Sequence, residues 1–419
     1  MDFLRKAGQT YWQILPLNPT NYGDSPYQSF SAYAGNPYFI DIELLIKEGL
    51  LTKAEADSCD FGDNADEIDY EKLYKNRLPL LKIAFSRFRE TSAFTAFCKK
   101  NSSWLDDYAL FMALKHAHDD NSWETWYEPL RMRDAAAIKT AKAQYGETVR
   151  FYQFVQFKFY EQWHNLKSYA NENGIKIIGD IPIYVAYDSA DVWSNPTQFL
   201  LDTDQKPQAV AGVPPDAFSK DGQLWGNPLY DWKAMAADGY AWWKQRVAHA
   251  LKTYDVIRID HFRGFESFFS IPYGQTTARK GKWVKGPGMK LFDALKAELG
   301  EDLPIIAEDL GFLTPAVKRL LKKSGFPGMK VLQFAFDAEE ESGYLPHNFT
   351  GHCVVYTGTH DNDTILGWTK TAGKADVKMA RQYMHVDDNE GFNWAMMRTA
   401  MMSVADICIL MMPDILGLG

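Results

Sequence analysis

The sequence predicts an α/β fold, a (β/α)8 barrel of the TIM type carrying helical insertions, and three observations lead to it. Short apolar runs bounded by polar turns recur along the chain, helical patterns fill most of the intervals, and several runs deliver a carboxylate near their C-terminal ends. Alternating strands and helices build a parallel sheet. In a parallel barrel all strands end on one face, where the active sites of such barrels lie.

The runs, in order, are YWQILPL (11 to 17), IKIIGDIPI (175 to 183), DVIRID (255 to 260), LPIIAED (303 to 309), KVLQFAF (330 to 336), CVVYTG (353 to 358) and DICILMM (406 to 412). Patterns such as DGYAWWKQRVAHALKTY and PGMKLFDALKAELG lie between them and read as helices. Residues 42 to 160 interrupt the alternation with a mostly helical stretch, expected to form an insertion subdomain after the first run. Residues 186–232 and 264–288, rich in Gly, Pro and aromatics, read as long active-site loops. The whole chain, 1–419, is then one catalytic barrel. Seven strands with helical crossovers fit an eight-stranded barrel short of one strand better than a doubly wound sheet, because no Gly-rich dinucleotide turn follows any of them.

Composition narrows the function. With 46% hydrophobic and 24% charged residues the chain is an ordinary globular protein. Its 45 Lys and Arg against 54 Asp and Glu leave −9, and no basic run tracks a phosphate backbone, so nucleic acid is not an expected partner. ICILMMPDILGLG is far shorter than the ~20 apolar residues of a membrane span, and MDFLRKAGQT lacks the apolar core of a signal peptide. Cys59, Cys98, Cys353 and Cys408 are scattered without a CxxC pair, which fits a reducing cytoplasm and gives neither a zinc site nor a disulfide framework. Aromatics make up 15% of the chain, many beside Gly, Pro, Asn and Asp, where they would meet a ligand with flat apolar faces.

The carboxylates carry the chemistry. Asp180 in GDIPIYV, Asp260 in RIDHFRGF, Glu308 in AEDLG and Asp361 in GTHDNDT stand at or just past four strand ends, each separated by room for a loop, a helix and the next strand. Any one alone is as readily a helix cap or the partner of an arginine. Four together are expected to converge, and converging carboxylates repel and resist desolvation unless a cation or an acid/base reaction uses them. His360 and Arg258 as neighbours make a cation cage the less natural choice. In VIRIDHFRGF, strand alternation puts Arg258 and Asp260 on one face and Ile257 and Ile259 on the other, so Arg258 favours the ionised form of Asp260. Glycoside chemistry meets the demand, with one carboxylate attacking the anomeric carbon and another staying protonated to release the leaving oxygen. His261 and His360 adjoin these acids and are expected to hydrogen-bond a substrate hydroxyl. Tyr27 in YGDSPYQSFS and Trp225 in GQLWGNP sit among turn formers and are expected to stack on a sugar. Asp309 points away from the side of Glu308, and Asp188 and Asp191 read as local turn or cap residues.

At these residues the chain resembles the amylomaltase or disproportionating-enzyme family of 4-α-glucanotransferases, in the α-amylase clan. The resemblance runs nearly end to end through YWQILPL, GDSPYQSFSAYAGNP, GDIPIYVAYDSADVW, AGVPPDAF, GQLWGNPLYDW, VIRIDHFRGF, WVKGPG, AEDLG, FPGMKVLQFAFD, LPHN and YTGTHDNDT. It implies Asp260 as nucleophile, Glu308 as general acid/base and Asp361 as the carboxylate stabilising the transition state, with Arg258, His261, His360, Asp180, Asp216 and Trp225 contacting the glucan. It also implies a retaining reaction between an α-1,4-glucan donor and a sugar acceptor, without organic cofactor or catalytic metal. Relative to the family pattern the sequence lacks both terminal segments. The absent barrel strand is then the first, and an open core would leave a destabilised chain with impaired activity. Ala217 stands where many relatives carry an aromatic, and the residue before Asp414 is not the usual Gln. An α-glucan hydrolase of the same clan and an inactive glucan-binding fragment are the alternative readings.

Overall fold

The computed structural model describes residues 1–419 other than 22, 65, 216–218, 312, 341 and 388. Its strands are β1 (Tyr11–Gln13), β2 (Lys176–Ile181), β3 (Ala209–Val213), β4 (Gln223–Pro228), β5 (Val256–Ile259), β6 (Ser267–Pro272), β7 (Lys282–Lys285), β8 (Ile305–Ala307), β9 (Gly328–Val331), β10 (Cys353–Tyr356) and β11 (Ile407–Ile409). Seven of them, β1, β2, β5, β8, β9, β10 and β11, fall in or at the edge of the seven apolar runs. The chain forms two compact units, one of residues 1–255 with 267–301, the other of 256–266 with 302–419.

In the first unit β1 pairs parallel with β2, Trp12 opposite Ile177. Between them lies the helical stretch, which runs past residue 160: its last helix spans Gly146–Glu172 and leads directly into β2. FYQFVQFKFY, residues 151–160, is buried at every position, so this helix is packed all round rather than along one stripe. No breaker interrupts it until Asn173 and Gly174, where Gly174 takes a left-handed φ of 77°. One helix therefore closes the helical stretch and also makes the crossover to β2.

The stretches 186–232 and 264–288 contain more than loop. They supply β3, β4, β6 and β7, an antiparallel sheet ordered β4-β3-β6-β7, with Gly212 opposite Leu224 and Phe269, and Phe269 opposite Trp283. A small core of Val210, Phe269, Ile271 and Ala278 packs on it. These strands are four to six residues long, with Gly, Asn and Pro inside or at the ends of β3, β4 and β6, so their alternation is too brief to stand out from turns. Asp188 and Asp191 likewise act at long range. Asp188 pairs with the buried Lys115 at 2.6 Å, and buried Asp191 accepts from the backbone N–H of Ala32 at 2.7 Å.

In the second unit β5, β8, β9, β10 and β11 follow one another in parallel. Ile257, Ile259, Val354 and Val355 are fully buried, as expected of strands covered on both faces. The helix joining β9 to β8, Pro315–Ser324, shows why such crossovers form where they do. Thr314 caps the N–H of Val317, Pro315 occupies the first turn, and Gly325 ends the helix in a left-handed conformation. Met396, Met397, Ala395 and Ile365 pack with Val355 in the core beyond β10. Among the described residues no helix is long and apolar enough to cross a membrane.

Two consequences for stability follow. Gly179, one residue before Asp180, lies under the Tyr254 ring, and a Cβ there would overlap it. Gly179→Ala should therefore lose about 1–3 kcal/mol in a denaturant titration. His249, buried with its Nε2 against the Tyr160 hydroxyl and the Tyr33 carbonyl, is pushed by that burial from 6.5 down to about 4. Between these values the unfolded chain binds the proton and the folded chain does not, so His249 costs stability as the pH falls from 6.5 towards 4. Asp191, raised by burial from 3.8 to about 6, works in the opposite direction between those two values. His249→Gln should flatten the acid-side loss, measured as unfolding midpoint against pH.

Candidate active site

In the second unit the parallel register sets Arg258 opposite Ile306 and Ile259 opposite Ala307. Asp260 and Glu308 thus occupy equivalent places, one residue past the ends of neighbouring strands. The ladder continues to that point, since the Glu308 N–H donates to the Ile259 carbonyl at 3.0 Å and the Phe262 N–H to the Glu308 carbonyl at 3.0 Å. Both carboxylate oxygens of Glu308 accept from backbone. The His261 N–H donates to Oε2 at 2.7 Å and the Leu310 N–H to Oε1 at 2.9 Å.

That grip requires a sharp turn after β5. His261 takes it up at φ 48° and ψ 50°, a left-handed conformation uncommon for a side-chain-bearing residue and worth attention where it occurs. The following turn, Phe262–Phe265, is buried throughout and holds the backbone there. Burial keeps the His261 imidazole below its ordinary value, with Glu308 pulling the other way. Arg258, 2% exposed, reaches Asp260 with Nη1 at 3.3 Å from Oδ1.

Asp361 lies five residues past β10 in an open position, its side chain 73% exposed and 3.5 Å from His360 Nε2. The loop beneath it is pinned. Asn362 Oδ1 accepts from the Thr359 N–H and hydroxyl, and the Asp361 N–H donates to the Thr359 hydroxyl at 3.3 Å. Buried Asp414 accepts from the Thr357 hydroxyl at 2.9 Å and the Ile365 N–H at 2.7 Å, closing both ends of the loop. Gln333 Nε2 donates to the Asp363 carbonyl at 2.8 Å. Nothing local in the sequence marks Gln333 for this loop, and Asp414 stands out there only through the residue before it. The one local signal was an aspartate at the start of a helical turn in MPDI.

The first unit gathers a second set. Asp180, next to last in β2 and 1% exposed, accepts from the Tyr27 hydroxyl at 2.7 Å. Tyr27 therefore holds a carboxylate, a role the sequence did not indicate. Its neighbour Gln28 donates to the Trp225 carbonyl at 3.3 Å and to Asn227 Oδ1 at 3.1 Å, tying this loop to β4. Trp225 is half-buried, its Nε1 donating to Gln223 Oε1 at 3.0 Å and its ring 6.3 Å from Tyr184. Asp216 and Ala217 lie outside the described residues. Among the described residues no three His, Cys, Asp or Glu side chains are grouped so as to hold a metal ion.

The family described as 4-alpha-glucanotransferase matches over residues 1–419. The chain is 50% identical over 422 residues to the 4-alpha-glucanotransferase of Clostridium butyricum, covering all of this chain and 86% of the relative. It is 48% identical over 432 residues to that of Thermus thermophilus, covering all of this chain and 85% of the relative. Its fold superposes on the amylomaltase from Streptococcus agalactiae in complex with acarbose with a TM-score of 0.97 at 41% identity, covering all of this chain and 85% of the other. That likeness extends over the full run of parallel strands and helices and gives the fold its class, a TIM barrel. With the family matched over every residue and half the sequence identical to a curated member, the chain belongs to the 4-α-glucanotransferases.

Proposed function

We propose that the chain moves α-1,4-glucan segments from maltooligosaccharides, amylose or glycogen-derived chains to a sugar acceptor by a retaining double displacement. Asp260 is the nucleophile, Glu308 the general acid/base and Asp361 the carboxylate that stabilises the transition state. The observation that supports this most is the pairing of Asp260 and Glu308 at adjacent strand ends, one beside a buried arginine and the other held by two amides. Two carboxyl groups in different surroundings are what a reaction needing both a nucleophile and a proton donor requires.

In the first step Glu308 gives its proton to the glycosidic oxygen as Asp260 bonds to the anomeric carbon, releasing the shortened donor end and forming a β-linked glucosyl ester. This geometry expects the two carboxyl groups about 5–5.5 Å apart. In the second step the 4-hydroxyl of an acceptor sugar loses its proton to Glu308 and attacks the same carbon, freeing Asp260. Positive charge develops on the sugar ring in both steps, and the exposed carboxylate of Asp361 is suited to meet it. Arg258, His261, His360, Asp180, Asp216, Tyr27 and Trp225 are proposed to contact the glucan, Tyr27 through its hold on Asp180. Transfer exceeds hydrolysis where an acceptor is held at high effective concentration. This reading goes with placement in a reducing compartment such as the cytoplasm, as expected from the scattered cysteines of the sequence.

With maltotriose as sole substrate the chain should produce glucose and a ladder of longer oligosaccharides without a net rise in reducing ends, and Asp260→Asn should abolish the ladder. Reducing ends that rise as fast as maltotriose disappears would assign the chain to the hydrolases instead. Trp225→Ala should raise the donor KM by about 2- to 10-fold with a smaller effect on kcat, the worth of one aromatic contact. An equal fall in kcat with unchanged KM would remove Trp225 from the binding surface.

A further inference from the structure

Asp309 follows Glu308 but faces the other neighbour strand. Its Oδ1 accepts from the Met329 N–H on β9 at 2.6 Å, and the side chain is 5% exposed. Room for it comes from Gly328, where a Cβ would lie 2.6 Å from Oδ1 and 2.8 Å from Cγ and Oδ2. The backbone ladder along this edge is short. Among the described residues β8 and β9 share one registered pair, Ala307 with Gly328, against three between β8 and β5. The end of β8 is thus secured by the ladder on its β5 side and, towards β9, by the Ala307 N–H donating to the Pro327 carbonyl at 2.9 Å and by the Asp309 side chain.

Glu308 sits between these two attachments. Its carboxylate is aimed by the His261 and Leu310 amides, and Leu310 is itself the residue after Asp309. We propose that Asp309 is a positioning residue for Glu308: by filling the space left by Gly328 and accepting from the Met329 N–H, it fixes the backbone from which the Leu310 amide orients the Glu308 carboxylate. Lys330 on β9 and Tyr344 beyond it complete the surroundings, the Lys330 ammonium standing 5.3 Å from the Tyr344 ring centre. Burial raises the Asp309 carboxyl to about 6, with the Met329 N–H and Lys330 opposing and Glu308 adding to the rise. A hydrogen-bonded group in that setting can hold the strand through its oxygen alone, so the asparagine amide should serve nearly as well.

The inference rests on Glu308 being the proton donor, and the experiment separates the two. Kinetics with maltotriose are compared with first-turnover fluoride release from α-maltosyl fluoride, whose leaving group needs no protonation, in Asp309→Ala, Gly328→Ala, Asp309→Asn and Glu308→Gln. Displacing an acid by a fraction of an ångström to an ångström weakens it by roughly 100-fold, so Asp309→Ala and Gly328→Ala should lose that much maltotriose kcat with little change in KM. Fluoride release should stay near that of the unaltered chain, and Asp309→Asn should restore maltotriose turnover. If Glu308→Gln spares fluoride release but Asp309→Ala impairs both donors equally, or neither, the positioning role is overturned. If Glu308→Gln impairs both donors alike, the acid role of Glu308 falls, and the inference with it.

Discussion

The two backbone amides that take both oxygens of Glu308 are the constraint on which the rest of the site depends. An acid must be aimed to within a fraction of an ångström, and a side chain with three rotatable bonds is not aimed by its own strand. The aiming is done by His261 and Leu310, residues on two different loops, so the turn after β5 and the turn after β8 must both be rigid. The left-handed backbone of His261 and the buried Phe262–Phe265 turn serve the first, and the bond from Met329 to Asp309 serves the second.

Arg258 illustrates a second principle. A guanidinium 2% exposed is expensive to desolvate, and at 3.3 Å its contact with Asp260 is longer than a tight ion pair. A buried ion pair is by itself weak evidence of stabilisation. Its place beside a carboxylate at a strand end is better explained by what it does to the charge of that carboxylate than by what it adds to the fold.

The parallel strands were legible because strands buried on both faces must be apolar throughout, and Ile177, Ile257, Ile259 and Val354 leave little other reading. The strand-end acids were legible for the converse reason, since polar residues have no business in such runs without a partner or a task. What stayed hidden was pairing at a distance. Nothing local in AVAGV and QLWGNP says that they face each other, and nothing near LMMPD says that Asp414 closes the loop carrying Asp361. The turn formers around Tyr27 suggest a stacking platform, and only the position of Asp180 reveals the use of its hydroxyl. Asp188 and Asp191 looked local for the same reason, short polar side chains in a turn-rich stretch being equally able to bind near or far.

The two compact units are interleaved along the chain, and this has a consequence for synthesis. Residues 256–266, which carry β5, the buried arginine and Asp260, emerge from the ribosome before the first unit has received its last segment, 267–301. The strand that β5 pairs with in its own unit, β8, begins at Ile305. At translation rates of about 5–20 residues per second, β5 waits several seconds before its own partner exists. During that interval an apolar strand bearing a charged arginine has no ladder on its β8 side. Slow codons or chaperone occupancy between residues 267 and 304 would therefore bear directly on the yield of folded enzyme.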